Sequence, residues 1–139
     1  MKVSLPLLVL AATLAAACSS DTDTSTISPT LPTAPSQTET FTGTLVAQGT
    51  NLHAFTVAQT GPLTVTLTAV GPPPTIFVGL GVGTPAGTSC SLLLSANVQA
   101  GMVAQLTGNV AVPGPFCLAV FDVGNLTADV TYSVTVSHT

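Results

Sequence analysis

After Lys2 the chain contains no lysine and no arginine, and it has no tryptophan and a single tyrosine, Tyr132. Each absence removes a class of function. Nucleic-acid binding needs cations that neutralise phosphates, so no nucleic-acid partner is expected. Nucleotides, phosphates and carboxylates are gripped chiefly by Arg and Lys, so no nucleotide and no cofactor is expected. A helix lying on an anionic bilayer needs a basic face, and the composition supplies none. Carbohydrate sites usually stack sugars on exposed aromatic rings. Tyr132 and the five Phe fall mostly at core positions, which counts against a glycan ligand. Long apolar runs are also scarce. The longest, Leu5–Ala17, contains Pro6 and is shorter than the ~20 residues that span a bilayer.

That run has another reading. Lys2 precedes it and small residues close it before Cys18, the order of charged, apolar and small-residue regions in a removable export signal. Residues 1–17 are therefore expected to be a signal peptide. Leu14-Ala15-Ala16-Ala17-Cys18 resembles the lipobox of bacterial lipoproteins, which implies lipidation of Cys18 as the first mature residue. Ala15 departs from the Leu preferred there. By the same resemblance, Ser19 and Ser20 imply sorting to the outer membrane. Residues 18–39 are rich in Ser, Thr and Pro without apolar periodicity. Such a stretch buries too little surface to offset ordering entropy and reads as a tether. Three of the five acids, Asp21, Asp23 and Glu39, lie in or beside it.

Three cysteines make an odd set. With Cys18 lipidated, Cys90 and Cys117 remain, and export places them where disulfides persist. Two free thiols and a metal pair are the competing readings. Wide spacing without a nearby His is a poor metal pattern, so the pairing expected is Cys90–Cys117.

Residues 40–139 carry a period of two. Leu63-Thr64-Val65-Thr66-Leu67-Thr68-Ala69 alternates apolar with Thr, and Gly71-Pro72-Pro73-Pro74 ends the run, because proline cannot donate to a ladder. Phe41, Gly43 and Leu45 share one face of an earlier segment; His53, Phe55 and Val57 share a face of the next. In Thr75–Thr84, Ile76, Val78, Leu80 and Val82 alternate with Phe77, Gly79, Gly81 and Gly83. No helix start follows these glycines, as a dinucleotide loop would require. The glycine face is either a packing surface or a shallow groove. Cys90–Leu106 keeps apolar residues at even positions and predicts two strands with a turn near Gln99-Ala100-Gly101; a short helix over Leu92–Val98 is the alternative. Gly108-Asn109 and Val112-Pro113-Gly114 read as turns. Phe116–Phe121 is apolar throughout, as in a strand covered on both faces. It leads through Asp122-Val123-Gly124-Asn125, a turn, to the alternating Val130–Val136, and the two segments read as a hairpin. About eight strands and no helical pattern predict an all-β, antiparallel β-sandwich of jelly-roll or immunoglobulin-like type.

Phe55-Thr56-Val57, Gly61-Pro62-Leu63-Thr64-Val65-Thr66-Leu67, Pro113-Gly114-Pro115-Phe116-Cys117-Leu118-Ala119-Val120 and Tyr132-Ser133-Val134-Thr135-Val136 together resemble the bacterial pre-peptidase C-terminal (PPC) domain, over roughly residues 40–137. The resemblance implies a small β-sandwich associated with secreted enzymes. Some family members bind calcium through acids in the middle strands. Residues 75–89 contain no Asp or Glu, so that site is not expected.

Catalytic chemistry has few candidates. His53, His138, Asp122 and Asp129 are the only groups of the folded region suited to acid–base work besides Glu39. A triad of Ser89 or Ser91 with His53 and Asp122 can be written, but no nucleophile elbow is present. His138, next to the terminus, is expected to be solvated or loosely packed. His53 is expected to be half-buried and hydrogen-bonded. Asp122, Asn125 and Asp129 offer calcium oxygens, but turn capping is the expected role. No catalytic, cofactor or metal site is therefore assigned. The function expected is a non-catalytic structural or protein-interaction role at the envelope, with membrane contact through the lipid alone. The alternative is a surface module that binds glycan or protein. A protease-inhibitory role has only the loop Gly83–Ser89 in its favour.

Overall fold

A computed structural model describes residues 32–139. The expected signal 1–17, Cys18 and the expected tether up to residue 31 lie outside the described residues. The alternation of Thr with Val and Leu makes eight strands: β1 (Gln37–Leu45), β2 (Thr50–Val57), β3 (Gly61–Gly71), β4 (Val78–Ala86), β5 (Ser89–Val98), β6 (Leu106–Val110), β7 (Gly114–Phe121) and β8 (Val130–His138). They form two four-stranded antiparallel sheets, ordered β1-β8-β3-β6 and β2-β7-β4-β5. This interleaved order is that of a jelly roll, and it settles which sandwich the strand count implied. The inner faces meet through Leu45, Leu63, Val65, Leu67, Val78, Leu80, Leu118, Val120, Val130, Val134 and Val136, all buried. Each contributes roughly 1.5–3 kcal/mol relative to exposure.

Phe116–Phe121 and Val130–Val136 are not a hairpin. β7 pairs with β2 and β4, whereas β8 pairs with β1 and β3 in the other sheet. Residues 122–129 carry the chain between sheets that pack about 10 Å apart. The uniform apolarity of β7 reflects its central place. Leu118 and Val120 face the core, while Cys117 and Ala119 are buried on the outer side.

Other expectations also change. β1 takes in Gln37–Glu39, which had been assigned to the tether; these residues pair with His138, Ser137 and Val136. Cys90–Val98 is a strand and not a helix, but no strand follows at once. Residues 99–105 are a connection, and β6 includes Gly108 and Asn109. The even-position rule fails within β5, because Val82 pairs with Leu94 while the next residue, Gly83, pairs with Leu92. Leu93 is the extra residue of a bulge, and the bulge reverses the facing of the residues before it. A second bulge, between Leu67 and Ala69 in the pairing with β8, leaves Ala69 exposed and Val70 buried. Beyond Val65, β3 has no strand among the described residues beside it on its β6 edge. The Gln105 side chain substitutes, its Oε1 accepting the Leu67 N–H at 2.7 Å, while Gly101 N–H donates to Leu67 O at 2.8 Å.

His138 is not frayed. It is 1% exposed, lies in register between Gln37 and Leu63, and stands 5.7 Å from the Phe55 ring. Its Nε2 is 3.1 Å from Glu39 Oε1. The terminus is tied down one residue later. Gln59 N–H donates to Thr139 O at 3.3 Å, and Thr139 Oγ1 donates to Thr60 O at 3.2 Å.

Candidate functional site

Large apolar side chains that stay exposed are concentrated on one flank of the sandwich. β5 and β6 are the edge strands there. Leu92, Leu93 and Leu94 on β5, Met102 and Val103 after it, and Val112 after β6 make up six of the nine exposed large apolar residues among those described. Leu93 is 70% exposed, Val112 74% and Met102 99%. A cleft of about 580 Å³ opens between the two edges. Leu63, Val82, Leu94, Val110, Pro113 and Phe116 are among its walls, with Thr84 and Asn109 for polarity and no charged side chain. The titratable residues of the described region, Glu39, His53, Asp122, Asp129, Tyr132 and His138, all belong to β1, β2, β8 and the β7–β8 connection. Sequence reasoning missed this flank. The leucines fit core parity, and nothing local marked β5 as an edge.

The outer face of the β2-β7-β4-β5 sheet is a second apolar surface. Phe121 lies over Gly79, and Leu92 over Gly81, where a Cβ would come within 2.7 Å of its Cδ1. At Gly83 the nearest atoms are the Ser91 carbonyl and the Leu92 Cα, both backbone. The glycine face is thus a packing surface. A shallower hollow of about 500 Å³ flanks it, with Leu52, Cys90, Leu92 and Phe121 among its walls. The structure brings Cys90 and Cys117 to bonding distance, their sulfurs 1.97 Å apart. Gly83 is the register partner of Cys117, and Pro85 of Cys90. The bridge therefore ties β5 to β7 across β4.

On the opposite flank a partly buried polar chain runs between the sheets. Asn51 Nδ2 donates to Thr44 O at 2.8 Å and to Tyr132 Oη at 3.0 Å, which leaves the phenol free to donate to His53 Nε2 at 2.7 Å. That direction suits a neutral imidazole. Phe41 stacks on the His53 ring with centroids 5.0 Å apart. Gly43 makes room for the phenol, since a Cβ there would lie 2.6 Å from Tyr132 Oη. Burial pushes the His53 pKa below 6.5 and that of Tyr132 above 10. The NMR titration midpoint of His53 is accordingly expected below 6.5. Folding favours the neutral ring, so this contribution is complete above the unfolded pKa of about 6.5 and is lost as pH falls through the lowered value. A midpoint at or above 6.5 would contradict the partial burial of the ring.

Asp122 is a double cap. Its Oδ1 accepts the N–H groups of Gly124, Asn125 and Leu126 at 2.8, 3.1 and 3.3 Å, and Oδ2 accepts that of Gln48 at 2.7 Å. Gln48 has φ 59°, a left-handed turn residue. Asp122 N–H also donates to Gly49 O at 3.0 Å. The carboxylate thus clasps the β1–β2 turn to the β7–β8 connection. These hydrogen bonds, led by that from Gln48, hold its pKa below the ordinary value. Asp122→Asn is expected to lower the melting temperature at pH 7. The gap should close as pH falls below about 4, through the depressed native pKa, because the wild-type stabilisation exists only above the unfolded carboxylate pKa. A gap that persisted in acid would refute this role for the charge.

The remaining candidates do not converge. Asp129 is exposed. Ser89 opens β5 at the end where it pairs with Ala86, and its Oγ donates to Ala86 O at 2.8 Å. Asp122 lies at the other end, just beyond the Phe121–Gly79 pair, and His53 points between the sheets at Tyr132. No triad forms from Ser89 or Ser91, His53 and Asp122. Among the described residues no group of three or more His, Cys, Asp or Glu is placed to hold a metal.

Fold and flank together define a small all-β jelly roll whose distinctive surface is an uncharged apolar edge. No family model matches the chain, and neither does any curated protein.

Proposed function

We propose that this chain is an exported, lipid-anchored β-sandwich with a non-catalytic, protein-contacting role at the cell envelope. The observation that carries the proposal is the uncharged flank of β5 and β6, with its leucines and its 580 Å³ cleft. Monomeric proteins rarely leave a contiguous apolar patch uncovered unless it is used. Phe77 is the one aromatic among the exposed large apolar residues described. A single ring is not a stacking strip, which favours a protein over a glycan as the occupant. Anchoring through Cys18, outer-membrane placement and kinship with the PPC domain belong to the same proposal and rest on the sequence motifs.

Two measurements test it. In fractionated cells the protein should partition with membranes, and Cys18→Ala should release it; a variant that still sediments with membranes would remove the anchor. A photo-crosslinking residue at position 93 should yield protein adducts in cells, while one at Thr42 on the far edge should not. Absence of adducts from position 93 would defeat the contact role.

A further inference from the structure

We infer that the partner of this flank is a second copy of the same chain, joined by antiparallel pairing of β5 with its own counterpart. The proposal gives the protein-contacting role an occupant and rests on that reading for its purpose.

The first argument is backbone chemistry. β5 is ten residues long and ends its sheet. Its outer row of N–H and C=O groups therefore faces no strand among the described residues. An extended edge of this kind is a template for another strand, and proteins usually guard it with Lys, Pro or an inward charge. Ser89-Cys90-Ser91-Leu92-Leu93-Leu94-Ser95-Ala96-Asn97-Val98 contains none of these. The bulge at Leu93 is the only guard.

The second argument selects the copy. Antiparallel pairing of a strand with itself is isologous: one patch meets the same patch about a two-fold axis. The midpoint of β5 falls between Leu93 and Leu94, so the axis brings the exposed leucines together, and Met102, Val103 and Val112 widen the contact on the β6 side. Like copies carry like charge, which ordinarily opposes self-association. Here Glu39, Asp122 and Asp129 all lie off this flank, so two copies meet without facing acids.

The third argument is size. Ten residues at about 3.3 Å each give a strand ~33 Å long. Across a sandwich flank ~20 Å wide, two sheets ~10 Å apart plus their side chains, the patch is roughly 650 Å². That approaches the ~800 Å² per partner of a standard interface.

The test uses the full chain with Cys18→Ala, exported and oxidised, so that micelle formation by a lipid plays no part. Sedimentation velocity over ~1 to 100 µM, the range that resolves micromolar dissociation constants, should show a monomer–dimer equilibrium. Leu93→Lys sets two cations face to face and should weaken it ~10-fold or more; Thr42→Lys, with the same charge on the far edge, should not. Hydrogen exchange of the wild type should show β5 amides that become protected as concentration rises, a readout that needs no variant. A monomer throughout, or a dimer indifferent to Leu93→Lys with β5 unprotected, overturns the pairing. In cells, a position-93 adduct of twice the chain mass supports the second copy. Adducts of other masses alone overturn it and leave the envelope-contact role standing.

Discussion

Replacing Cys90 and Cys117 together by Ala is expected to lower the unfolding free energy by about 3.5 kcal/mol, the chain-entropy value for a loop of this length. The loop spans 27 residues. The loss is large against the 5–15 kcal/mol that holds a typical domain folded. Its structural expression should be local first. Among the described residues β5 is held laterally by β4 alone, much of it is exposed, and the bridge fastens it to β7 across β4. Once the bridge is removed, β5 amides should exchange before those of β3 or β8. Denaturant titration checks the size of the effect, and exchange checks its place. A midpoint unmoved by the substitution, or by reductant, would show that the bridge adds nothing to strands already paired.

Gly83→Ala is expected to be the most damaging of the three glycine substitutions on β4, at about 3 kcal/mol. The reason is what the new methyl group meets. At Gly79 and Gly81 the obstacles are the Phe121 ring and the Leu92 side chain, which can rotate aside. At Gly83 they are the Ser91 carbonyl and the Leu92 Cα at 2.8 Å. Backbone at a bulge moves only if the ladder moves. Gly81→Ala should therefore cost no more than about 1–1.5 kcal/mol, near the low end of overpacking. Thermal denaturation of the two variants decides the matter. Equal losses would mean that the bulge yields as easily as a side chain. The Gly83 variant also bears on the pairing proposed for β5, because a displaced bulge alters the edge that would meet its copy.

Much of this was legible in local pattern. The alternation over Leu63–Leu67 and Val130–Val136 made half-buried strands unavoidable, since period two is the only repeat that puts every Thr on one side. Gly71-Pro72-Pro73-Pro74 ended β3 where the structure ends it. The pairing of Cys90 with Cys117 followed from the two cysteines left once Cys18 is set aside and from the expectation of export. Asp122 read as a turn cap, and it is one, because Asp followed by Gly and Asn offers a local acceptor whatever the surroundings. Its second role, the bond from Gln48 across 74 positions, had no local signal.

What escaped the sequence has a common cause. A run of apolar residues is the same string whether it lies at the centre of a sheet or at its edge. Phe116–Phe121 and Leu92–Leu94 look alike in composition, yet β7 has a strand on each side and β5 on one. Bulges at Leu93 and after Leu67 change facing without changing composition. His138 stands beside a chain end that usually frays, and only its pairing with Gln37 and Leu63 buries it. By itself the sequence determined the all-β class, most of the strands and the Cys90–Cys117 pair. The tertiary structure alone decided which strands are edges, which sheet each joins, and hence that the leucines of β5 are surface and not core. Strand identity is a property of neighbours along the chain, whereas edge and face depend on partners far from it in sequence.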